Sequence, residues 1–439
     1  MAKRTFRGGI HPYDGKELSK DKPVRKVCPK GELVYPLSQH IGAPAVCLVK
    51  KGDHVLAGQK IAEAGGFVSV PIHASVSGTV KNIEPRLTAT GTMVNSVIVE
   101  NDGAYEETGY PACKPLKDLE KAEILNMIKE AGVVGMGGAG FPTHVKLSPK
   151  EPEKIEYIIV NCAECEPYLT SDYRRMLDAP EKIIGGLKII LKLFPTAKGV
   201  IAIEDNKKDA IALMEKKAEG EENIQVLALK TKYPQGAERM LIYAVTGRKI
   251  NSSMLPADAG CIVDNCETVY AINRAVTEGK PVIERIVTVT GDAITDPQNF
   301  SVYTGTSYQE LVDAAGGFKQ EPEKVISGGP MMGFAMFDLN VPCTKTSSAI
   351  LCMTKDEAAM FEPTACINCG RCVSACPEHL IPARLADLAE RHDEAAFDKM
   401  GGLECCECGC CSYSCPARRH LTQEIKSMRR IVMASKRKK

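Results

Sequence analysis

The feature that most limits what this chain can fold into is a pair of cysteine runs near its end. The first is Cys366-Ile-Asn-Cys369-Gly-Arg-Cys372-Val-Ser-Ala-Cys376-Pro377, the second Cys405-Cys-Glu-Cys408-Gly-Cys-Cys411-Ser-Tyr-Ser-Cys415-Pro416. Both obey C-x2-C-x2-C-x3-C-P, the spacing that holds two [4Fe–4S] clusters. Three closely spaced thiolates wrap one cubane, and the fourth cysteine of each run crosses to the other. One cluster is therefore expected on Cys366, Cys369, Cys372 and Cys415, and the second on Cys405, Cys408, Cys411 and Cys376. Zinc knuckles also use C-x2-C, but they need four ligands per site and no repeated x3-C-P ending. Cys406 and Cys410 are surplus to the rule and receive no role. Between the runs, Ile381 to Met400 reads as one helix with Pro382 in its first turn.

The remaining nine of the 19 cysteines are scattered over the first 352 residues, unlike a disulfide scaffold in a short secreted chain. Basic residues open the chain with no apolar stretch behind them, and no run of about 18 apolar residues follows. A reducing, cytosolic setting is expected, with any membrane contact made from outside. The formal net charge of +1 gives no overall reason for nucleic-acid binding. Cations do gather in the tail, ending Lys436-Arg437-Lys438-Lys439, which reads either as a solvated end or as a contact for anionic lipid or an acidic partner.

Residues 33–100 alternate short β-branched runs with turn signals, a small all-β module. His11, His40, His54 and His73 are too irregularly spaced for a metal site and read as packed or solvated. A helix is expected over Leu119–Ala131. Strands at Ile155–Asn161, Gly199–Glu204 and Ile224–Leu229 then alternate with helices at Pro180–Leu193, Lys207–Lys217 and Ala237–Val245, implying a mainly parallel sheet. Gly135, Gly137, Gly138 and Gly140 crowd a loop after the first helix. Its context is wrong for a dinucleotide fingerprint, since a helix precedes it and Phe141-Pro142 follows. Its glycines still let backbone N–H groups approach a phosphate or flavin, with Lys146 able to add charge. Glu204-Asp205, at a strand end, suits a ribose diol. Cys162 and Cys165 form a C-x2-C with no second pair nearby.

Several segments carry a resemblance. Gly135 to Thr143 with Lys146, Asn161-Cys-Ala-Glu164-Cys-Glu166-Pro167, Gly236-Ala-Glu238-Arg and Val263-Asp-Asn265-Cys-Glu267-Thr268 are similar, in order, to flavin-pocket segments of the NADH-oxidising subunit of respiratory complex I. That resemblance implies FMN held by the glycine loop, Asn161, Glu164, Asn265 and Thr268, with Lys146 near its phosphate. It also implies that Phe141 and Glu166 face the nicotinamide nucleotide. Cys162 and Ala163 depart from that subunit's pattern, and its own cluster motif is absent. Lys51-Gly52-Asp53 and Ala74 to Val80 resemble the barrel-sandwich fold of lipoyl and biotinyl domains, without a carrier-lysine hairpin. Phe6-Arg-Gly-Gly-Ile-His11-Pro, Pro36 to Pro44, the flavin core and the double cluster motif together resemble the C subunits of Rnf complexes. Arg285–Gly291 through Gly317 is similar to the SLBB module of both families.

The implied architecture is multidomain α/β. It comprises a barrel-sandwich-like β module (1–110), a Rossmann-like FMN/NADH domain (115–280) and an SLBB, β-grasp-like module (283–340). A linker (341–360), a two-cluster ferredoxin-like helical domain (361–420) and a basic tail (421–439) complete it. The resemblance further implies a peripheral subunit of a membrane ferredoxin–NAD oxidoreductase. Such a subunit exchanges hydride between NAD(H) and FMN, passes single electrons through the clusters, and is held at the cytoplasmic face by partner subunits. No catalytic acid or base is expected. Two other readings stay open: a soluble cobalamin reductase with the same flavin core, and a flavin-free cluster relay.

Overall fold

The computed structural model describes residues 4–437. Lys438 and Lys439 of the basic run lie outside the described residues.

After β1 (Arg25–Val27), the N-terminal module packs two small sheets face to face. Strands β2 (Glu32–Pro36), β8 (Met93–Asn101), β7 (Gly78–Leu87) and β4 (His54–Val55) form one; β3 (Val46–Cys47), β5 (Lys60–Glu63) and β6 (Ile72–His73) form the other. Alternate residues point inward, so Leu33, Tyr35, Val97 and Val99 meet Ile61 and Ile72 in a closed core. His40 and His73 are buried in packing, while exposed His54 pairs with Asp102.

The second domain opens with α1 (Lys121–Glu130) and the short α2 (Thr143–Lys146). It continues β9 (Tyr157–Cys162), α3 (Ser171–Asp178), α4 (Pro180–Leu193), β10 (Lys198–Glu204), α5 (Lys208–Lys217), β11 (Ile224–Leu229), α6 (Glu238–Thr246), β12 (Cys261–Asn265) and α7 (Cys266–Glu278). All four strands are parallel, in the order β11-β10-β9-β12. Their side chains split by parity. Ile158, Val160, Ile201, Ile203 and Ile262 join α1, α3, α4, α5 and α7 on one face, whereas Ile159, Val200, Ala202 and Val263 join α6 on the other. Such two-sided burial is why these strands read as continuous apolar runs. The chain steps outward from β9 to β11, then returns to β12 on the far side of β9. The strand order therefore reverses between β9 and β12, where open α/β sheets leave a ligand crevice at the strands' carboxyl ends.

The third domain is a six-stranded sheet with the order β1-β14-β13-β17-β15-β16. Its elements are β13 (Glu284–Thr290), β14 (Gln298–Tyr303), α8 (Tyr308–Ala314), β15 (Lys324–Ser327), β16 (Phe334–Met336) and β17 (Ala349–Met353). Two expectations change here. Residues 341–360 are not simply a linker, because β17 lies between β13 and β15 with Ala349 to Cys352 buried. And β1, from the N-terminal segment, completes this sheet by pairing in parallel with β14.

The last domain is helical: α9 (Arg371–Ala375), α10 (Pro382–Glu390), α11 (Glu394–Lys399), α12 (Cys410–Tyr413) and α13 (Leu421–Arg437). The single helix expected over 381–400 is two. His392 adopts a left-handed backbone (φ +54°), and the Asp393 carboxylate accepts from Ala396 N to start α11. The tail is likewise no solvated end over its described length. Ile425, Met428 and Val432 pack against Leu385, Leu388 and Phe397, so α13 is a core helix. Its cations Lys426, Arg429 and Lys436 pair with Glu407 and Asp398 of the same domain.

Candidate iron–sulfur and flavin sites

The two cysteine runs converge in the crossed arrangement that their spacing suggests. One cavity is lined by Cys366, Cys369, Cys372 and Cys415. The other is lined by Cys405, Cys408, Cys411 and Cys376, with the surplus Cys406 and Cys410 in the same wall. Among the described residues no three His, Cys, Asp or Glu side chains surround a single ion; each four-thiol set instead bounds a space. Four thiols per cavity, three local and one from the other run, fit the donor set of a [4Fe–4S] cluster.

The surroundings of the two cavities differ. The first is an outer site: residues 361–371 are all exposed, Cys366 and Cys369 among them. The second is an inner site, with Cys376, Cys408 and Cys411 buried. Burial pushes Cys405 up to about 12 and Cys411 up to about 11. Thiolates there need the charge of bound iron to form. Donors are in place around the inner sulfurs: Leu380 N lies 3.4 Å from Cys376 Sγ and Glu407 N 3.4 Å from Cys405 Sγ.

The glycine loop sits at the switch point between β9 and β12. Gly135 N donates to Phe141 O, closing the loop, and Met136 N donates to Thr268 Oγ1 at the start of α7. Asn265 caps α7, its Oδ1 accepting from Glu267 N. Gly137 lies against Asn265 so tightly that a Cβ would come within 2.9 Å of the Asn265 Cβ. The amides of residues 137–140 make no hydrogen bond among the described residues, and residues 137–139 are exposed. Free successive amides beside a helix N-terminus fit an anionic group such as the phosphate of FMN. Asn161, opposite Asn265 in the strand register, donates to Gly236 O at 2.9 Å. Half-buried Phe141 closes the far end of the loop.

Lys146 reaches this end of the sheet but is already engaged. Its Nζ donates to Val263 O and, at 3.1 Å, to Asp264 Oδ1. Burial opposes its charge, yet Asp264 and Glu238 together outweigh burial and hold the ammonium above its ordinary pKa. Asp264 Oδ2 has no partner. Sequence reasoning missed this acid; with two of its N–H groups given to Val263 and Asp264, Lys146 keeps one for a ligand.

Three expected ligand-binding acids are turned elsewhere. Glu164 accepts from Asp172 N and Tyr173 N at the start of α3, and burial pushes its carboxyl up to about 7. Glu166 accepts from Met331 N and Met332 N of the third domain at 2.7 and 3.0 Å. A Cβ on Gly329 would lie 2.0 Å from its Cγ, so that contact demands glycine. Glu204 is 1% exposed, paired with Lys207 and bonded to Lys232 N, which removes it from a ribose site. Exposed Asp205 is bonded to Thr231. The loop after β9 is itself held by two buried lysines. Lys16 donates to Glu166 O and Leu169 O, and Lys207 donates to Ala163 O. Neither lysine carries a local sequence signal. The support fixes Glu164 and Tyr168 at positive φ (+46° and +68°), conformations that need such over-determination.

The two sites are joined. Gly236 N lies 3.2 Å from Cys165 Sγ, and Cys165, Met331 and Cys406 pack against the cluster of Ile10, Tyr233, Ala375, Cys408 and Cys410. Tyr233 Oη donates to Cys408 O at 2.7 Å. The N-terminal strap seals this junction: Gly9 N donates to Ala375 O, and Ile10 pairs with Tyr233. Arg239 of α6 reaches Glu378 and Glu404 of the cluster domain at 3.2 and 3.1 Å.

Comparison with known proteins places these parts. Residues 4–104 match the RnfC barrel sandwich hybrid domain, 128–274 the Nuo51 FMN-binding domain, 286–335 the SLBB domain and 361–381 a 4Fe-4S binding domain. The chain is 45% identical over 437 residues to the C subunit of the Na(+)-translocating ferredoxin:NAD(+) oxidoreductase complex of Acetobacterium woodii, covering 99% of this chain and 98% of that one. It is 47% identical over 390 residues to the C subunit of the proton-translocating ferredoxin:NAD(+) oxidoreductase complex of Clostridium ljungdahlii, covering 88% and 85%. Among solved structures, an NAD+-reducing [NiFe]-hydrogenase in the H2-reduced state aligns with a TM-score of 0.51 at 16% identity, covering 73% of this chain and 62% of that one. This last likeness is one of fold.

Proposed function

The chain belongs to the C-subunit family of ion-translocating ferredoxin:NAD(+) oxidoreductase complexes, and from that premise we propose that it passes electrons between NAD(H) and the complex through an inner and then an outer [4Fe–4S] cluster. It is a peripheral electron-transfer subunit with an FMN-binding domain and iron–sulfur ligands. FMN, when bound, exchanges a hydride with NAD(H) and single electrons with iron–sulfur centres. The chain's own residues supply position. The free amides of 137–140 receive the phosphate, and Asn161 and Asn265 flank the crevice. The loop after β9, clamped by Lys16 and Lys207, leads to Cys165 beside the inner cavity.

The observation that carries the order of the clusters is the junction of Cys165, Tyr233 and Met331 with Cys408 and Cys410. It sets the inner site against the flavin domain and leaves the outer site facing away. An exposed outer cluster is where another subunit would exchange single electrons. Among the described residues no helix is long and apolar enough to cross a membrane, so attachment at the cytoplasmic face would come through partner subunits.

Anaerobic titration of the iron-loaded protein with NADH, following flavin and cluster bleaching, tests this. Both chromophores should bleach. Lys146→Glu should lose flavin and the NADH response while keeping its iron; retained FMN would refute the pocket assignment. Iron-loaded protein that binds no FMN and is not reduced by NADH would instead establish a flavin-free relay.

A further inference from the structure

Helix α13 begins over the inner cavity, and its second residue, Thr422, is part of the cavity wall. Thr422 Oγ1 lies 3.3 Å from Cys411 Sγ. The direction of this contact follows from its neighbours. Thr422 N donates to Ser412 Oγ at 2.9 Å, and Ser412 Oγ donates back to Thr422 Oγ1 at 2.9 Å. The other acceptor near Ser412, Gln423 Oε1, is exposed and further off at 3.5 Å. A threonine hydroxyl that accepts from Ser412 has one proton left to give, and the ligand sulfur stands within reach of it.

The outer motif is built differently at the same place. The residue equivalent to Ser412 is Val373, which is exposed and has no hydroxyl.

Resting on the two-cluster reading above, we propose that Thr422, oriented by Ser412, is a positioning residue whose hydroxyl donates to the sulfur of Cys411 and raises the reduction potential of the inner cluster. The added electron increases the negative charge on the cluster's sulfurs, so a donor there stabilises the reduced form more than the oxidised one. No bond forms or breaks; the hydroxyl keeps its proton in both states.

The test is an anaerobic potentiometric titration of the full chain, followed by electron paramagnetic resonance with iron measured on the same samples. Wild-type protein with about eight irons and two one-electron waves satisfies the cluster reading itself; fewer clusters would refute that reading before Thr422 is at issue. Thr422→Val should lower one midpoint and leave the other in place. A threefold to tenfold change in the reduced-to-oxidised ratio at fixed potential corresponds to roughly 30–59 mV for one electron. Thr422→Ser should restore the wild-type value. Ser412→Ala should give a smaller fall of the same wave. Unchanged midpoints in iron-replete Thr422→Val, or equal falls in both, would overturn the proposal. If Thr422→Val fails to hold iron, Ser412→Ala decides alone, and an unmoved midpoint overturns it.

Discussion

Cys369 and Cys408 occupy the same place in two motifs of identical spacing, yet one is exposed and the other 8% exposed. Around Cys369 the rim is Ile367 (66% exposed), Val373 and Ile381, apolar side chains open to solvent. Around Cys408 stand Tyr233, Met331 and Cys165, carried from two other domains, and the strap residue Ile10. Equal ligand chemistry has been placed in unequal solvent. A cluster's potential responds to burial and to hydrogen bonds at its sulfurs, so the two positions differ in energy as well as in neighbours. On the proposed function, the inner site would receive electrons from within the chain and the outer one would exchange them beyond it.

The harshest way to break this contrast is Cys408→Ser. It should leave about four irons instead of about eight and abolish NADH-driven reduction of whatever outer cluster survives; iron analysis and spectroscopy read both. Next is Arg239→Ala, which leaves Glu378 and Glu404 without their shared cation. Removing one partner of such a largely buried set should destabilise the junction by roughly 2–4 kcal/mol, seen as a lower denaturation midpoint. Tyr233→Phe strips the donor from Cys408 O and should cost about 1–2 kcal/mol in the same assay.

A pH effect is expected in the loop that leads to Cys165. Burial pushes the folded Glu164 carboxyl up to about 7, above its ordinary value of 4.5, against the pull of Lys16. Stability linked to it is therefore full below about 4.5 and is lost as pH rises through about 7. Glu164→Gln should remove that slope from thermal unfolding curves, and an unaltered slope would assign it to another group. The smallest effect is expected outside: Ile367→Lys should change stability by less than about 0.5 kcal/mol while slowing electron exchange with a partner protein.

Much of this was legible in the sequence, for reasons that differ by region. The grouping of eight thiols around two cavities follows their spacing, and β11 and α4 have the expected bounds because uninterrupted apolar runs define them. What escaped is set by tertiary partners. Glu166 looks like a ligand-facing acid, but the amides of Met331 and Met332, up to 166 residues away, claim it, while Glu164 and Glu204 are held by Asp172, Tyr173 and Lys207 in ways no local pattern announces. Residues 341–360 read as a linker since β17 takes its place inside the sheet, between β13 and β15, rather than beside its sequence neighbour β16. The break at His392 is hidden by helix-forming neighbours on either side.

The claim that the inner cluster comes first is tested most directly with Cys366→Ser, which removes an exposed ligand of the outer site only. Rapid mixing of this variant with NADH, followed by electron paramagnetic resonance, should show the inner cluster reduced at the wild-type rate while transfer to an external one-electron partner is lost. An inner cluster that retains its iron and stays oxidised would contradict the account, because the outer cluster would then have to stand between it and the flavin.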